Sequence, residues 1–576
     1  MQFQYWSQSL LHASSHSPSS LPMSCSIAAL LFLVSLFLSL HQSTSCCATG
    51  AGDGAAHSLS SCLISHGVTN FTLPTSPSYA AVLNSSISNL RFALPDVGKP
   101  AAVVLPASKR DLQGAVLCAR NSSLAIRVRS GGHSYEGLSY TTENRVPFVV
   151  IDLANLNRVR VDAGSATAWA ESGATLGELY YAVGRSSWSL AFSAGSCSTI
   201  GLGGIVSGGG FGLLSRKFGL AADNVLDAVL VDADGRALNR ATMGRDVFWA
   251  IRGGGGGSWG VVYAWKLRLV PVPRNVTVFS LGRTGPVELV AGLIHRWQFV
   301  APSLPDDFYL SVYLPTGGVG SSSSSSVGNV SVSFSGQVLG PKHRALSALR
   351  QSFPELGLTE SELAETSWLD ATAQFAGLDT AADLSNRLLG RSKQYSKGKS
   401  DYVRSPISRR AMAGIVRYLS TGPPWQGQGQ GAGYVILDPY GGAMARIGSS
   451  DTPCPHRAGT LYGVQYQVYW DDDDHDLGGR AAAGESCVGW LRSLYAFMAP
   501  HVSKDPRAAY VNYLDLDLGT NNWTASVGGS SEAAVARARS SWGVAYFGDN
   551  FNRLVRAKTA VDPGNVFNNA QSIPPL

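Results

Sequence analysis

Eight of the eighteen residues in the run Gly195-Ser-Cys-Ser-Thr-Ile-Gly-Leu-Gly-Gly-Ile-Val-Ser-Gly-Gly-Gly-Phe-Gly212 are glycine. Little except backbone can line such a segment, which suits a loop that carries main chain close to a large ligand. A second loop of the same texture, Arg129-Ser-Gly-Gly-His-Ser-Tyr-Glu-Gly137, precedes it. Glycine reaches positive φ without a steric penalty, and successive N–H groups can then form a concave nest for phosphate oxygens. A large anionic cofactor fits that description. His133 and Cys197, the reactive side chains of the two loops, stand where an imidazole and a thiol could bond to it.

Two other glycine patterns point elsewhere, and the residues C-terminal to them rule both out. Gly255-Gly-Gly257-Ser-Trp-Gly260 satisfies the dinucleotide fingerprint, and Gly256-Gly-Ser258-Trp-Gly260 satisfies the hydrolase nucleophile elbow. Both motifs must open a helix. Here the next residues are Val261-Val-Tyr-Ala-Trp-Lys-Leu267, which reads as a strand.

A chain of 576 residues is too long for one ordinary core and predicts two or three domains. The formal charge of +6, from 45 basic and 39 acidic residues, comes without a dense Lys/Arg run, so no nucleic-acid partner is expected. Residues 1–50 read as a signal-peptide region. The apolar run from Cys25 to Leu40 is shorter than a membrane span needs and is followed by small residues, which predicts a cleaved secretory signal and no membrane span after cleavage. The preceding segment has no Lys or Arg, which suggests that translation starts at Met23. Sequons at Asn70, Asn84, Asn121, Asn275, Asn329 and Asn522 agree with a secreted glycoprotein. The expected location is extracellular or cell wall, with the vacuole as the alternative.

Short β patterns alternate with helical ones from about Ala101 to Pro273. Ala101 to Pro106 and Leu124 to Arg129 read as strands, and Ser108 with Asp111 as a helix start. Thr175 and Glu178 have capping-box spacing before Leu179-Tyr-Tyr-Ala-Val183, and Val229 to Leu238 reads as a hairpin turning at Asp234-Gly235. From Val276 to Val502, strand-like runs (Phe308 to Leu314, Val330 to Val338, Gly433 to Leu437, Leu461 to Trp470) are separated by helical ones. That order predicts a second α+β unit on an antiparallel sheet. Ser321 to Ser326 and Gln426 to Gly431 read as polar loops. The acids Asp471 to Asp474, with His475 and Asp476, precede a helical run from about Arg480 to Met498 and read as favourable charge at a helix start, not a metal site.

Five motifs in order now carry a resemblance: the two glycine loops, Asp223-Asn-Val-Leu-Asp227, Phe248-Trp-Ala-Ile-Arg-Gly-Gly-Gly-Gly-Gly-Ser-Trp-Gly260, and the segment from Lys558 to Pro575. From about Cys62 to Leu576 the chain resembles the plant berberine bridge enzyme-like family. The resemblance implies an α+β fold with a p-cresol methylhydroxylase-type FAD-binding domain (96–273), a substrate domain with an antiparallel sheet (276–502) and a C-terminal segment (508–576) that returns to the flavin domain. It implies FAD bonded twice, from His133 to the 8α-methyl and from Cys197 to carbon 6. Arg129, Ser130, Gly131, Gly132, Ser134, Thr199, Gly201, Gly203, Gly204, Ser207, Gly208, Gly209 and Asn512 are the further expected cofactor-binding positions. A Cys62–Cys118 disulfide is implied as well, while Cys454 and Cys487 could be paired or free.

On the substrate side, Tyr513 in Tyr510-Val-Asn-Tyr513-Leu-Asp-Leu-Asp-Leu-Gly519 matches the family's candidate base, with Gln465 and Tyr135 beside it. The bland alternative is an amphipathic strand. Moving a phenol from pKa 10 to about 7 needs about 4 kcal/mol of phenolate stabilisation, from a nearby cation or hydrogen-bond donor. Two departures from the family pattern stand out. Ile205 occupies a position that is usually histidine, and Phe211 one that is usually tyrosine, so charge stabilisation of reduced flavin and coupling at Cys197 come into question. Ile200 falls where the family gates oxygen, and its bulk favours a dehydrogenase with an unknown electron acceptor, with an oxidase that uses O2 as the alternative. The expected activity is oxidation of an alcohol such as a monolignol or a sugar, a small-molecule substrate. Alkaloid cyclisation, or a flavin-bearing defence protein with weak catalysis, are the alternatives.

Overall fold

The computed structural model describes residues 50–143, 146–317, 329–391, 393–423, 431–470, 477–521 and 530–576. The leader, Met23, Asn522, the Ser321 to Ser326 loop, most of the Gln426 to Gly431 loop and the Asp471 to Asp476 run lie outside them.

Three large sheets and one two-stranded pair organise the described residues. The first holds β1 (Phe71–Thr72), β2 (Ala102–Val104), β3 (Ala125–Arg129) and β4 (Phe148–Asp152) in the order β1-β2-β4-β3. The pairings of β2 and β3 with β4 are parallel. A parallel pairing needs a crossover. The helix Lys109–Asn121 carries the chain over from β2 to β3, on the two sides of β4, and starts where Ser108 accepts a hydrogen bond from the Asp111 amide. Cys118 on this helix forms the expected disulfide with Cys62 on the helix Gly50–Ser65.

The second sheet contains β5 (Val159–Asp162), β6 (Thr167–Glu171), β8 (Val225–Val231), β9 (Ala237–Leu238) and β10 (Val261–Arg268), in the order β5-β6-β10-β8-β9; β7 (Leu190–Ala191) pairs separately with β11 (Val270–Pro271). The expected hairpin is present, with Val231 opposite Ala237. Val261 to Leu267 is a strand, as required to reject both glycine motifs. The Thr175–Glu178 capping box starts the helix Leu176–Ser186.

The third sheet has seven strands: β12 (Val276–Pro286), β13 (Phe308–Pro315), β14 (Asn329–Val338), β15 (Ala364–Thr366), β16 (Tyr395–Val403), β17 (Gly431–Pro439) and β18 (Tyr462–Trp470). Their order is β15-β12-β14-β13-β17-β18-β16, and every pairing is antiparallel. Alternation divides its two faces. Phe308, Leu310, Val312, Val435, Leu437, Val464 and Val468 pack with Trp297, Ile415 and Leu491 of the covering helices. Each such fully buried side chain contributes about 1.5–3 kcal/mol relative to exposure. Tyr309, Ser311, Tyr434, Ile436, Asp438, Gln465, Gln467 and Tyr469 line a cavity on the other face.

The C-terminal residues run back across the first two sheets. Trp542, Tyr546, Phe551 and Leu554 join the core under the second sheet, and Phe567 joins the first-sheet core. Buried Arg127 of β3 donates to the Asn568 carbonyl at 2.6 Å, and the Gln571 side chain donates to the carbonyls of Asp515 (2.9 Å) and Gly519 (2.7 Å).

Candidate active site

A cavity of about 1070 Å³ lies between the glycine loops and the polar face of the third sheet. Its size is that of a site for a large ligand. Gly131, Gly201, Gly203, Gly204 and the stretch Gly254 to Gly257 line the glycine side. A Cβ on Gly131 would sit 2.3 Å from the Gly201 amide nitrogen, and one on Gly201 would sit 2.0 Å from Ser130 Oγ. The His133 and Cys197 loops therefore touch through bare backbone, and the cradle exists only because side chains are missing from it. These residues fit the group that the loops imply. Gly131→Ala is expected to lower stability by about 1–3 kcal/mol through overpacking, and to reduce flavin content. Denaturant unfolding and the visible absorbance of purified protein would check both effects.

The two reactive side chains converge. His133 Nε2 lies 2.9 Å from Thr199 Oγ1, and Cys197 Sγ lies 3.6 Å from the same oxygen. Burial pushes the His133 imidazole down to about pKa 3 and the charge of Arg391 adds to this, against the bond to Thr199. The ring is neutral at any physiological pH, which is its nucleophilic form. Arg391 donates to the Gly131 carbonyl at 2.7 Å, and its buried Nε has no partner among the described residues.

On the sheet side, three separate parts of the chain meet. Gln465 Nε2 of β18 donates to Tyr135 Oη at 2.5 Å, and the Tyr135 and Tyr513 rings stack at 5.5 Å with 3° between their planes. Space for the Tyr135 ring depends on Gly398 of β16, where a Cβ would come within 2.6 Å of it. Burial raises both phenols; Cys197 adds to the rise at Tyr135, and Tyr135 followed by Asp438 adds to it at Tyr513. The pKa of Tyr513 thus lies well above its ordinary value, opposite to the direction that its expected role as base requires. The leading influences on it are burial and other acids, with no cation among them. The nearby cations Lys397 and Lys399 are consumed by Glu136, Asp515 and Asp517.

Sequence reasoning missed Asp438 and Tyr309. Tyr309 donates to Asp438 Oδ1 at 2.5 Å, and burial raises the Asp438 carboxyl to about pKa 6 against that bond. Alternation along Tyr434, Ile436 and Asp438 was the available signal.

Several expected cofactor positions are placed differently. Arg129 is fully buried, bonded to Asp152 at 2.6 Å and to the carbonyls of Leu83 and Val82, so its guanidinium is spent inside the fold. Its register opposite Asp152 at the ends of β3 and β4 explains that pairing. Thr199, Gly208 and Gly209 also lie behind the lining. Gly208 closes on Asn512, whose Oδ1 would be 2.0 Å from a Cβ. Gly132, Ser130, Ser134, Ser207 and Asn512 are on the wall. Asn512 donates to the Ile205 carbonyl at 3.1 Å, and Phe211 stacks on Tyr440 at 5.0 Å. Ile200 lines the cavity as well. Cys454 and Cys487 are both free thiols in separate hydrophobic clusters, which decides against pairing. Asn70, Asn84, Asn121 and Asn275 are exposed and Asn329 is half-buried. No helix among the described residues is long and apolar enough to cross a membrane.

This combination of fold and cavity defines an FAD-dependent oxidoreductase, and comparison with known proteins agrees. Residues 100–240 match the FAD binding domain family, and residues 509–574 match the berberine and berberine like family. Berberine bridge enzyme-like D-2 of Nicotiana tabacum is 49% identical over 538 residues, spanning 90% of this chain and 92% of its own. Reticuline oxidase of Eschscholzia californica is 46% identical over 550 residues, 95% of each chain. Monolignol oxidoreductase AtBBE-like 13 of Arabidopsis thaliana is 43% identical over 524 residues, 89% of this chain and 92% of its own. The solved structure of berberine bridge enzyme from Eschscholzia californica superposes with a TM-score of 0.83 at 46% identity, covering 90% of this chain and 99% of that one. The chain belongs to the berberine bridge enzyme-like family and binds FAD.

Proposed function

We propose that this protein oxidises an alcohol in the cavity between the glycine loops and the third sheet, with FAD bonded to His133 and Cys197. The observation that carries the reading is the convergence of an imidazole and a thiol on Thr199, across the cavity from a third-sheet wall of hydroxyls, amides and one carboxyl, Asp438. FAD supplies the hydride acceptor. Tyr135, held by Gln465, and Tyr513, stacked on it, orient an aromatic or polyhydroxylated substrate. Mixing the purified protein anaerobically with monolignols, oligosaccharides and a reticuline-type amine tests the reading. Bleaching of the flavin within seconds by an alcohol supports it, while bleaching by the amine alone moves the assignment to alkaloid chemistry. Similarity to an enzyme named for monolignols and to one named for reticuline makes these the informative probes. The disulfide Cys62–Cys118 is in keeping with the secreted location proposed here.

We also assign the oxygen gate to Ile200. Ile200→Val should accelerate reoxidation of reduced flavin by dissolved oxygen about tenfold, equal to about 1.4 kcal/mol of barrier. Stopped-flow reoxidation reads this directly, and an unchanged rate removes Ile200 from that role.

A further inference from the structure

We propose that Asp438 is the proton acceptor for the substrate hydroxyl, the task that the sequence pattern assigns to Tyr513. The proposal rests on the alcohol-oxidation reading of the same cavity. Four observations support it. Asp438 lies at the cavity wall, and the only other carboxyl on the described lining, Asp379, is exposed. On the polar face of the third sheet it is the diagonal neighbour of Gln465, whose direct partner is Ile436. Such neighbours are about 7–8 Å apart, within reach of long side chains and of one bridging substrate. Its own direct partner is Gly463, which has no side chain to cover it. Tyr309 occupies Oδ1, and no described residue bonds Oδ2, so one oxygen remains to accept a proton.

The chemistry favours the carboxyl over the phenol. A base works best with a pKa near the operating pH. Asp438 is raised to about 6 while Tyr513 is held well above its ordinary value. The groups acting on Asp438 are Tyr309 from β13 and, from the C-terminal segment, Tyr513; the β18 residues nearby, Gly463 and Gln465, carry no charge. In the reaction the O–H proton passes to Asp438 Oδ2, the carbon's hydrogen leaves with its electron pair to bound FAD, and C–O becomes C=O.

The test compares wild type, D438N and Y513F. Among the described residues Asp401, gripped by Arg507, is the other carboxyl raised to about 6, so pH-difference infrared spectra of the holoprotein should show carboxyl titration near pH 6 that D438N diminishes and Y513F does not. Anaerobic flavin reduction by coniferyl alcohol, or by whichever alcohol bleaches wild type, should slow about a hundredfold or more in D438N and less than tenfold in Y513F. The wild-type rate should fall as pH drops through about 6, and the D438N rate should not. A D438N rate within threefold of wild type, or infrared titration unchanged by D438N, overturns the assignment. A wild type that no alcohol reduces, while the Asp438 carboxyl still titrates, overturns the alcohol reading and the proton-acceptor role with it.

Discussion

Arg216→Met is expected to destabilise the protein by about 3–5 kcal/mol, at the upper end of what one substitution does. Arg216, on the short helix Ser215–Phe218 next to the second glycine loop, is 1% exposed. Among the described residues it has no carboxylate partner at hydrogen-bond distance. Its donors go instead to the carbonyls of Tyr440 (2.9 Å), Leu304 (2.7 Å), Pro302 (3.1 Å), Pro305 (3.1 Å) and Phe308. Burial lowers its pKa to about 10, with Asp306 and Asp307 acting in the other direction, so the charge is retained at neutral pH. Methionine fills much of the space but leaves the carbonyls of Leu304 and Tyr440, both buried residues, without this donor. Guanidinium denaturation followed by tryptophan fluorescence measures the shift. Arg446→Ala serves as the control, because Arg446 is 63% exposed in its pair with Asp306, and its loss should leave the midpoint essentially unchanged. An Arg216→Met midpoint equal to wild type would mean that the carbonyls find other partners.

The second large effect concerns the cofactor. Acid-denatured wild type should keep its yellow colour on the polypeptide, and the combined His133→Ala and Cys197→Ser protein should lose essentially all of it to the filtrate. Each single substitution should keep the colour through the remaining tether. The expectation follows from Thr199, which stands within 3.6 Å of both reactive atoms, and from burial that keeps the imidazole unprotonated. Mass spectrometry of proteolytic peptides locates each attachment. Colour released wholly by wild type would refute the tethers, and wild type carrying flavin only at His133 would confine the failure to Cys197. Such a result would fit Ile205, an aliphatic residue where the family pattern has histidine.

The parts of this molecule that could be read from sequence are those decided by neighbours in the chain. Ser108 and Thr175 cap helices because their partners are three residues away, and Asp234-Gly235 turns because glycine there takes φ +69°. The glycine loops reveal a cofactor site for the same reason: composition alone removes the side chains. Asp438 was invisible because its meaning depends on the pairing of β17 with β18 and on Tyr309, 129 residues earlier. Arg129 was misplaced by motif for a related reason. Its sequence neighbours line the cavity, but strand alternation and the opposing Asp152 turn its own side chain inward. Tyr513 lies on the cavity wall, yet its titration is governed by burial among other acids, which no local pattern records.

The return of residues 567–573 across the first two sheets has a consequence for biogenesis. Arg127 beside the His133 loop, and the turn that carries Tyr513, both wait for partners made at the far end of the polypeptide. A pocket whose two sides both lean on residues 567–573 closes only once those residues are made, so flavin capture follows their synthesis. Messages cut short before codon 567 should yield pale protein.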